Sequence, residues 1–202
     1  MIEIKDITKS FGNKKLFENF NMVIPDQAFA VFAGPSGCGK TTMLNMIGGL
    51  EKPDSGKIIV DGLDISQKRY LTEYFTYRVG FLFQNFALVE DKSVLQNLNL
   101  VQKKARTERT PEDILEELGL ADKINEAVYK LSGGEQQRVA LARLMYKQCD
   151  IILADEPTGS LDPLNAEAVL EILHKMNEGG KTVILVTHSE EIINNEHFVV
   201  RL

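Results

Sequence analysis

What this chain has little of narrows its class before any motif is read. No apolar run approaches the length needed to cross a bilayer; AFAVFA, IILA and TVILVT are the size of buried strands. There is no basic excess. The formal net charge is -6 at pH 7, which argues against a general nucleic-acid-binding surface. Two cysteines, Cys38 and Cys149, are too few and too far apart for a disulfide framework or a zinc site. Neither an internal repeat nor a low-complexity linker breaks the chain. The first residues, MIEIKDITKSF, alternate and carry charge, so they read as a strand and not as a signal peptide. The expected home is the cytoplasm, and work at a membrane would need a second chain to supply the membrane part. With 202 residues and an apolar fraction of 44%, one large domain or a core with a small subdomain is expected.

What is present centres on residues 28–50, AFAVFAGPSGCGKTTMLNMIGGL. A buried strand (Ala28–Ala33) runs into a glycine-rich turn and then a helix opening at Lys40. Gly34, Pro35, Ser36, Gly37, Cys38, Gly39, Lys40 and Thr41 fit the phosphate-loop pattern G-x-x-x-x-G-K-[ST]. Glycines without side chains let backbone N–H groups curl around a polyphosphate, and the helix N-terminus adds partial positive charge. Lys40 would reach the β- and γ-phosphates, and the Thr41 hydroxyl would ligate Mg²⁺. The plain alternative, a Gly/Ser turn before a helix, does not require this spacing. The pattern implies a nucleoside triphosphate.

Around this stretch, strands are expected at Ile2–Ile7, Phe20–Ile24, Lys57–Val60 and Val79–Phe83, with an exposed turn over residues 9–14 and a helix over Arg69–Tyr77. Phe11 reads either as a core aromatic at a strand end or as a flat ring on which a base can stack. Gln84, at the end of an apolar strand, is either a terminus reaching water or a polar group near a metal, because ligands sit beyond the carboxyl ends of such strands. From Asn85 to Lys130 the pattern turns helical, with helices expected at Val94–Lys104 and Pro111–Leu118, the second begun by Thr110 and Pro111 and stopped by Gly119. The apolar stretch Phe86–Val89 is either core or a landing site for a partner. From Leu131 onward, helices (Gly133–Lys147, Leu164–Asn177, Glu190–Asn194) alternate with strands (Ile151–Ala154, Thr182–Thr187, His197–Leu202). That alternation implies a parallel sheet with helices on its faces.

The strand IILA ends in two carboxylates. Downstream of a phosphate loop, Asp155 can hold the Mg²⁺ shell and Glu156 can orient or deprotonate an attacking water. In LSGGEQQR (131–138), Ser132 and Glu135 form an S-x-x-E capping box. The box alone leaves two glycines in the first helical turn unexplained, at a propensity cost of about 1 kcal/mol each. Bare backbone at a helix N-terminus suits an anion. Two phosphate sites in one chain mean either two nucleotides or one nucleotide clamped between two subunits.

These residues resemble those of the ABC-type ATPases, the nucleotide-binding subunits of ATP-binding-cassette transporters. GPSGCGKTT (34–42) resembles the first phosphate motif, Gln84 the Q-loop glutamine, LSGGEQQR the signature and IILADE (151–156) the second phosphate motif. Gly159-Ser160-Leu161-Asp162 resembles the D-loop and His188 the switch histidine. The resemblance covers essentially the whole chain. It implies an α/β P-loop NTPase with a RecA-like parallel-sheet core, an N-terminal antiparallel β subdomain and an inserted helical subdomain (residues 85–135) flanked by core segments 1–84 and 136–202.

It also implies roles. Phe11 stacks the adenine; Gly34 to Thr42, with Gly37, Gly39, Lys40, Thr41 and Thr42 foremost, hold phosphates; Thr41, Gln84 and Asp155 serve Mg²⁺. Glu156 is the general base and His188 contacts the γ-phosphate. Ser132, Gly133 and Gly134 reach the ATP of a second subunit, and Asp162 links the sites of a head-to-tail dimer. Phe11 stands where tyrosine is more usual, and the pair before Leu161-Asp162 differs from that of many relatives. Cys38 sits at a variable loop position and receives no redox role. Short phrases, Glu156-Pro157-Thr158-Gly159 and Ile47-Gly48-Gly49-Leu50-Glu51, resemble the branch of lipoprotein-release, macrolide-export, antimicrobial-peptide-resistance, bacteriocin-export and cell-division ATPases. The expectation is an ATPase that drives a separate permease docked on the helical subdomain and works on the inner membrane face, without nucleic acid. The competing expectation is an ATP-driven regulator of a membrane protein that transports nothing.

Overall fold

The computed structural model describes residues 1–159 and 161–202. Two sheets organise it. β1 (Ile2–Phe11), β2 (Lys14–Ile24), β4 (Ser55–Val60) and β5 (Leu63–Asp64) form an antiparallel sheet in the order β2-β1-β4-β5. β3 (Phe29–Ala33), β6 (Val79–Leu82), β7 (Ile151–Asp155), β8 (Thr182–Val186) and β9 (Phe198–Arg201) form a parallel sheet in the order β6-β7-β8-β3-β9. Its central strands are buried on both faces, which is why they read as unbroken apolar runs. Their alternate residues nonetheless serve different cores. Ala30, Phe32, Ile151, Leu153, Ile184 and Val186 pack towards the antiparallel sheet and α1 (Lys40–Ile47). Val31, Ala33, Ile152, Ala154, Val183 and Leu185 pack on the opposite side, against the remaining long helices.

Between β1 and β2 the turn is tighter than the sequence suggests. Ser10 and Phe11 still pair with Lys15 and Lys14, leaving only Gly12 and Asn13 unpaired. Within β1 the buried residues are Ile2, Ile4, Ile7 and Lys9, so the alternation slips by one residue. A register shift between Ile4 and Ile7 in the β1–β2 pairing, with Asp6 at φ 52°, is the structural cause.

After β4 and β5, α2 (Lys68–Glu73) continues into a π-helical turn, Tyr74–Arg78, that feeds β6. The helical stretch that follows contains α3 (Val94–Leu98) and α4 (Pro111–Glu117), capped by Ser93 and Thr110. The helix expected to run to Lys104 ends at Leu98. Arg106 explains the stop: its guanidinium donates to the carbonyls of Val101 (2.9 Å) and Asn99 (3.1 Å), holding the chain in an irregular turn. Val94, Leu98, Ile114, Leu115 and Leu118 join one core with Leu141 and Leu144 of α5 (Gly133–Tyr146). α6 (Pro163–Glu178) and α7 (Glu190–Asn195) complete the chain.

Phe86 and Leu88 are half-buried against that core. Their turn holds two non-glycine residues in the left-handed region, Phe86 (φ 61°) and Ala87 (φ 47°), whose carbonyls accept 2.9 and 2.6 Å hydrogen bonds from Arg143. None of the described helices is long and apolar enough to cross a membrane.

Candidate functional site

The parallel register brings the carboxyl ends of three strands level, since Phe32 and Asp155 both pair with Val186. The loops leaving β3, β7 and β8 therefore meet at one edge, and the site is there. Gly34 leaves β3, Glu156 follows β7 and His188 follows β8. Together with the β1–β2 hairpin they enclose a cleft of about 630 Å³ lined by Phe11, Lys14, Leu16, Ser36, Gly37, Gly39, Lys40, Thr41, Thr42, Gln84, Glu156, Gly159, Val186 and His188. A cleft of that size accommodates a nucleotide.

The loop is shaped by glycine where only glycine serves. Gly39 has φ 110°, and a Cβ there would lie 2.7 Å from the Phe17 ring; Gly37 has φ 76°. α1 begins at Lys40 with no side-chain cap and no acidic residue in its first turn. Its leading N–H groups thus face the cleft without a protein side chain to satisfy them. The Lys40 ammonium is buried and folds back onto the carbonyls of Gly34 (2.9 Å) and Pro35 (3.1 Å), and Lys14 donates to the Gly37 carbonyl at 2.8 Å.

Beneath the loop, Thr41 Oγ1 donates to Asp155 Oδ1 at 3.0 Å. Burial pushes the Asp155 carboxyl above its usual range, opposed by the Thr41 hydrogen bond and the charge of Lys40. A partly desolvated carboxylate bonded to the hydroxyl of Thr41, which lines the cleft as Gln84 does, offers oxygen donors of the kind a hard divalent cation takes. Glu156 sits at φ 46°, a strained conformation for a non-glycine residue. Burial raises its carboxyl too, countered chiefly by His188. Among the described residues Glu156 Oε1 is buried without a hydrogen-bond partner, 3.2 Å from His188 Nε2, while the His188 backbone N–H donates to Oε2 at 3.4 Å. The geometry sets both carboxylate oxygens against His188, Oε1 beside the imidazole and Oε2 beside the backbone N–H.

Phe11 is 52% exposed on the cleft rim, which removes the reading as a core aromatic. Gln84 lies in an exposed turn two residues beyond the end of β6 rather than on the strand itself. Gly34, Pro35 and Cys38 shape the loop without lining the cleft. Gly159, expected in the D-loop, lines the cleft, and Lys14, Leu16 and Val186 join it although no sequence pattern singled them out. Their membership comes from the hairpin and from strand register, which are long-range facts.

Ser132, Gly133 and Gly134 stand apart from this cleft. They open α5, where Ser132 accepts from the Glu135 N–H and the Glu135 carboxylate takes the Ser132 N–H and hydroxyl, both at 2.8 Å. Those hydrogen bonds hold the Glu135 carboxyl below its usual range. Asp162 caps α6, outside the cleft, and Ser160 of the expected D-loop lies outside the described residues. So one chain presents a phosphate loop with its base and, separately, a second glycine-bearing helix start.

A family profile described as ABC transporter matches residues 17–159. This chain belongs to the ABC transporter family, as an ATP-binding cassette and ATPase. It is 34% identical to the lipoprotein-releasing system ATP-binding protein LolD of Aquifex aeolicus over 98% of this chain and 91% of that one. It is 36% identical to the macrolide export ATP-binding/permease protein MacB of Campylobacter jejuni, matching all of this chain and 33% of that longer protein. The cassette therefore falls in the lipoprotein-release and macrolide-export branch. Among solved structures, the dimeric post-hydrolysis state of the ATP-binding cassette MJ0796 bound to ADP and Pi superposes with a TM-score of 0.87 at 34% identity, over 100% of this chain and 94% of that one.

Proposed function

We propose that two copies of this chain close head to tail on two ATP molecules and reopen after hydrolysis, driving a separate membrane permease. The observation that carries this reading is the distance in role between the two helix starts: Ser132–Gly134 are exposed or half-exposed and absent from the chain's own cleft. In this arrangement each subunit supplies the phosphate loop to one ATP and the signature turn to the other. MJ0796, a similar cassette, is dimeric in its solved form.

Within each site, backbone N–H groups from Gly37 to Thr42 and the Lys40 ammonium hold the phosphates. Lys40 exchanges its carbonyl partners at Gly34 and Pro35 for phosphate oxygens. Thr41, Gln84 and Asp155 hold Mg²⁺, which when bound neutralises charge on the β- and γ-phosphates. Phe11 offers its exposed face to adenine. Glu156 takes the proton of the attacking water, and His188 orients Glu156 and touches the γ-phosphate.

For the permease, the groove between the helical stretch 85–135 and the parallel core is the proposed receptor. It is a cavity of about 390 Å³ with Phe75, Ala87, Leu100, Arg143 and Lys147 among its walls. The chain divides accordingly into a core (1–84 and 136–202) and an inserted helical subdomain, and it works on the inner membrane face. The proposed cargo is a peptide, bacteriocin, lipoprotein or drug-like molecule, exported or extracted.

The test is Glu156→Gln. Hydrolysis falls by about 10²–10⁴-fold, as expected on losing a general base, while ATP binding persists and a dimer accumulates on a sizing column only with ATP. In the unaltered protein the acid limb of the rate profile lies above the ordinary glutamate value of 4.5, because burial raises Glu156 and only its charged form accepts the proton. A Glu156→Gln variant that turns over ATP normally, or never dimerises, contradicts the reading.

A further inference from the structure

α5 does more than present the signature turn. Gly134, Gln137 and Arg138 are spaced i, i+3 and i+4 and so share one face of the helix. All three meet the segment that carries the base and begins α6. The Gln137 side chain is 1% exposed and donates from Nε2 to the Pro157 carbonyl at 2.8 Å. Arg138 donates to Asn165 Oδ1 at 2.8 Å, and Asn165 in turn donates to the Asp162 carboxylate. A Cβ on Gly134 would lie 3.4 Å from the Asn165 amide, so the signature backbone is packed directly on that link.

Pro157 immediately follows Glu156, whose left-handed backbone must be held from outside to persist. On the β8 side the Glu156 N–H donates to the Val186 carbonyl at 3.0 Å. On the α5 side the hold is the Gln137 amide. Among the described residues this is the side-chain bond that the buried amide makes, and it fixes that carbonyl.

We propose that Gln137 is a positioning residue for the base: its amide fixes the Pro157 carbonyl and so ties Glu156 to the same helix face that begins at signature Gly134. Resting on the dimer reading, this gives each subunit an internal link between its two half-sites. A partner's ATP seated on Ser132–Gly134 moves or stiffens the start of α5, and Gln137 passes that change to the base serving the subunit's own ATP. Arg138 and Asn165 carry the same motion to Asp162.

The test is Gln137→Met in the full chain, which keeps length and burial and removes the donor. A displaced base is expected to lower kcat by about tenfold to 100-fold, with KM for ATP within about twofold and the Hill coefficient reduced towards one. A residue that only fills space would leave kcat per folded molecule and the Hill coefficient unchanged; that result overturns the proposal. ATP-dependent dimerisation of Glu156→Gln is run beside it with and without Gln137→Met. A dimer in both, with kcat lowered by Gln137→Met in the chain that keeps Glu156, supports the positioning role. A dimer in neither brings down the dimer reading instead, and unaltered kcat with a normal dimer brings down the positioning role alone.

Discussion

Two helices of this protein begin with glycines, and they begin differently. α1 starts at Lys40 behind Gly39 with no capping side chain and no acidic residue in its first turn. α5 starts at Gly133 behind Ser132 with a complete capping box, its carboxylate Glu135 already bonded to Ser132. The first is an anion site left open within its own chain. The second has its Ser132 and Glu135 N–H groups satisfied by its own chain, and stands apart from that chain's cleft. On the proposed reading, local energetics thus separate the half-site that binds nucleotide from the half-site that recognises a nucleotide already bound by a partner.

The widest separation is expected from Lys40→Ala, which removes the charged donor from the open helix start. Nucleotide affinity should fall by about 100-fold or more in an equilibrium binding assay. The capped start should behave in the opposite sense. A Cβ on Gly133 meets nothing within 4 Å, and an acidic residue at a first helical position suits the helix dipole. Gly133→Asp should therefore fold and bind ATP as a monomer like the unaltered chain, yet lose ATP-dependent dimerisation and most hydrolysis, because its carboxylate faces a second subunit's phosphates. Calorimetry and sizing would show both halves of that expectation; lost monomer binding would erase the contrast. The smallest effect is expected from Glu135→Gln. Glutamine can preserve the capping box while removing a negative charge beside the proposed phosphate position. Dimerisation should then require about two- to fivefold less ATP, read from an ATP titration in the Glu156→Gln background.

The same contrast explains what the sequence made legible. The phosphate loop, the strand ending in Asp155-Glu156 and the parallel core follow from local spacing and apolar runs, because each is a contiguous strand–loop–helix or buried strand. Lys14 and Leu16 reach the cleft only through the β1–β2 pairing, so no local pattern marks them. The helix that stops at Leu98 instead of Lys104 does so because Arg106 captures carbonyls around the turn, a side-chain bond without a propensity signal. The slip at Asp6 hides in an alternation that otherwise looks regular. Gln137 and Asn165 were invisible for a related reason: a helix periodicity shows that a face is buried, not which carbonyl it fixes. The proposal that two half-sites belong to different subunits came from family resemblance, since the capping box by itself is an ordinary helix start.

The central claim, that each chain carries halves of two different ATP sites, is tested most directly by mixing two inactive variants. Lys40→Ala lacks the open half and Gly133→Asp lacks the capped half. In a mixed dimer one site combines both defects, and the other combines the intact phosphate loop of one subunit with the intact signature of its partner. ATP hydrolysis should reappear on mixing, although each variant alone is inactive. A mixture no more active than the sum of its components would contradict the account.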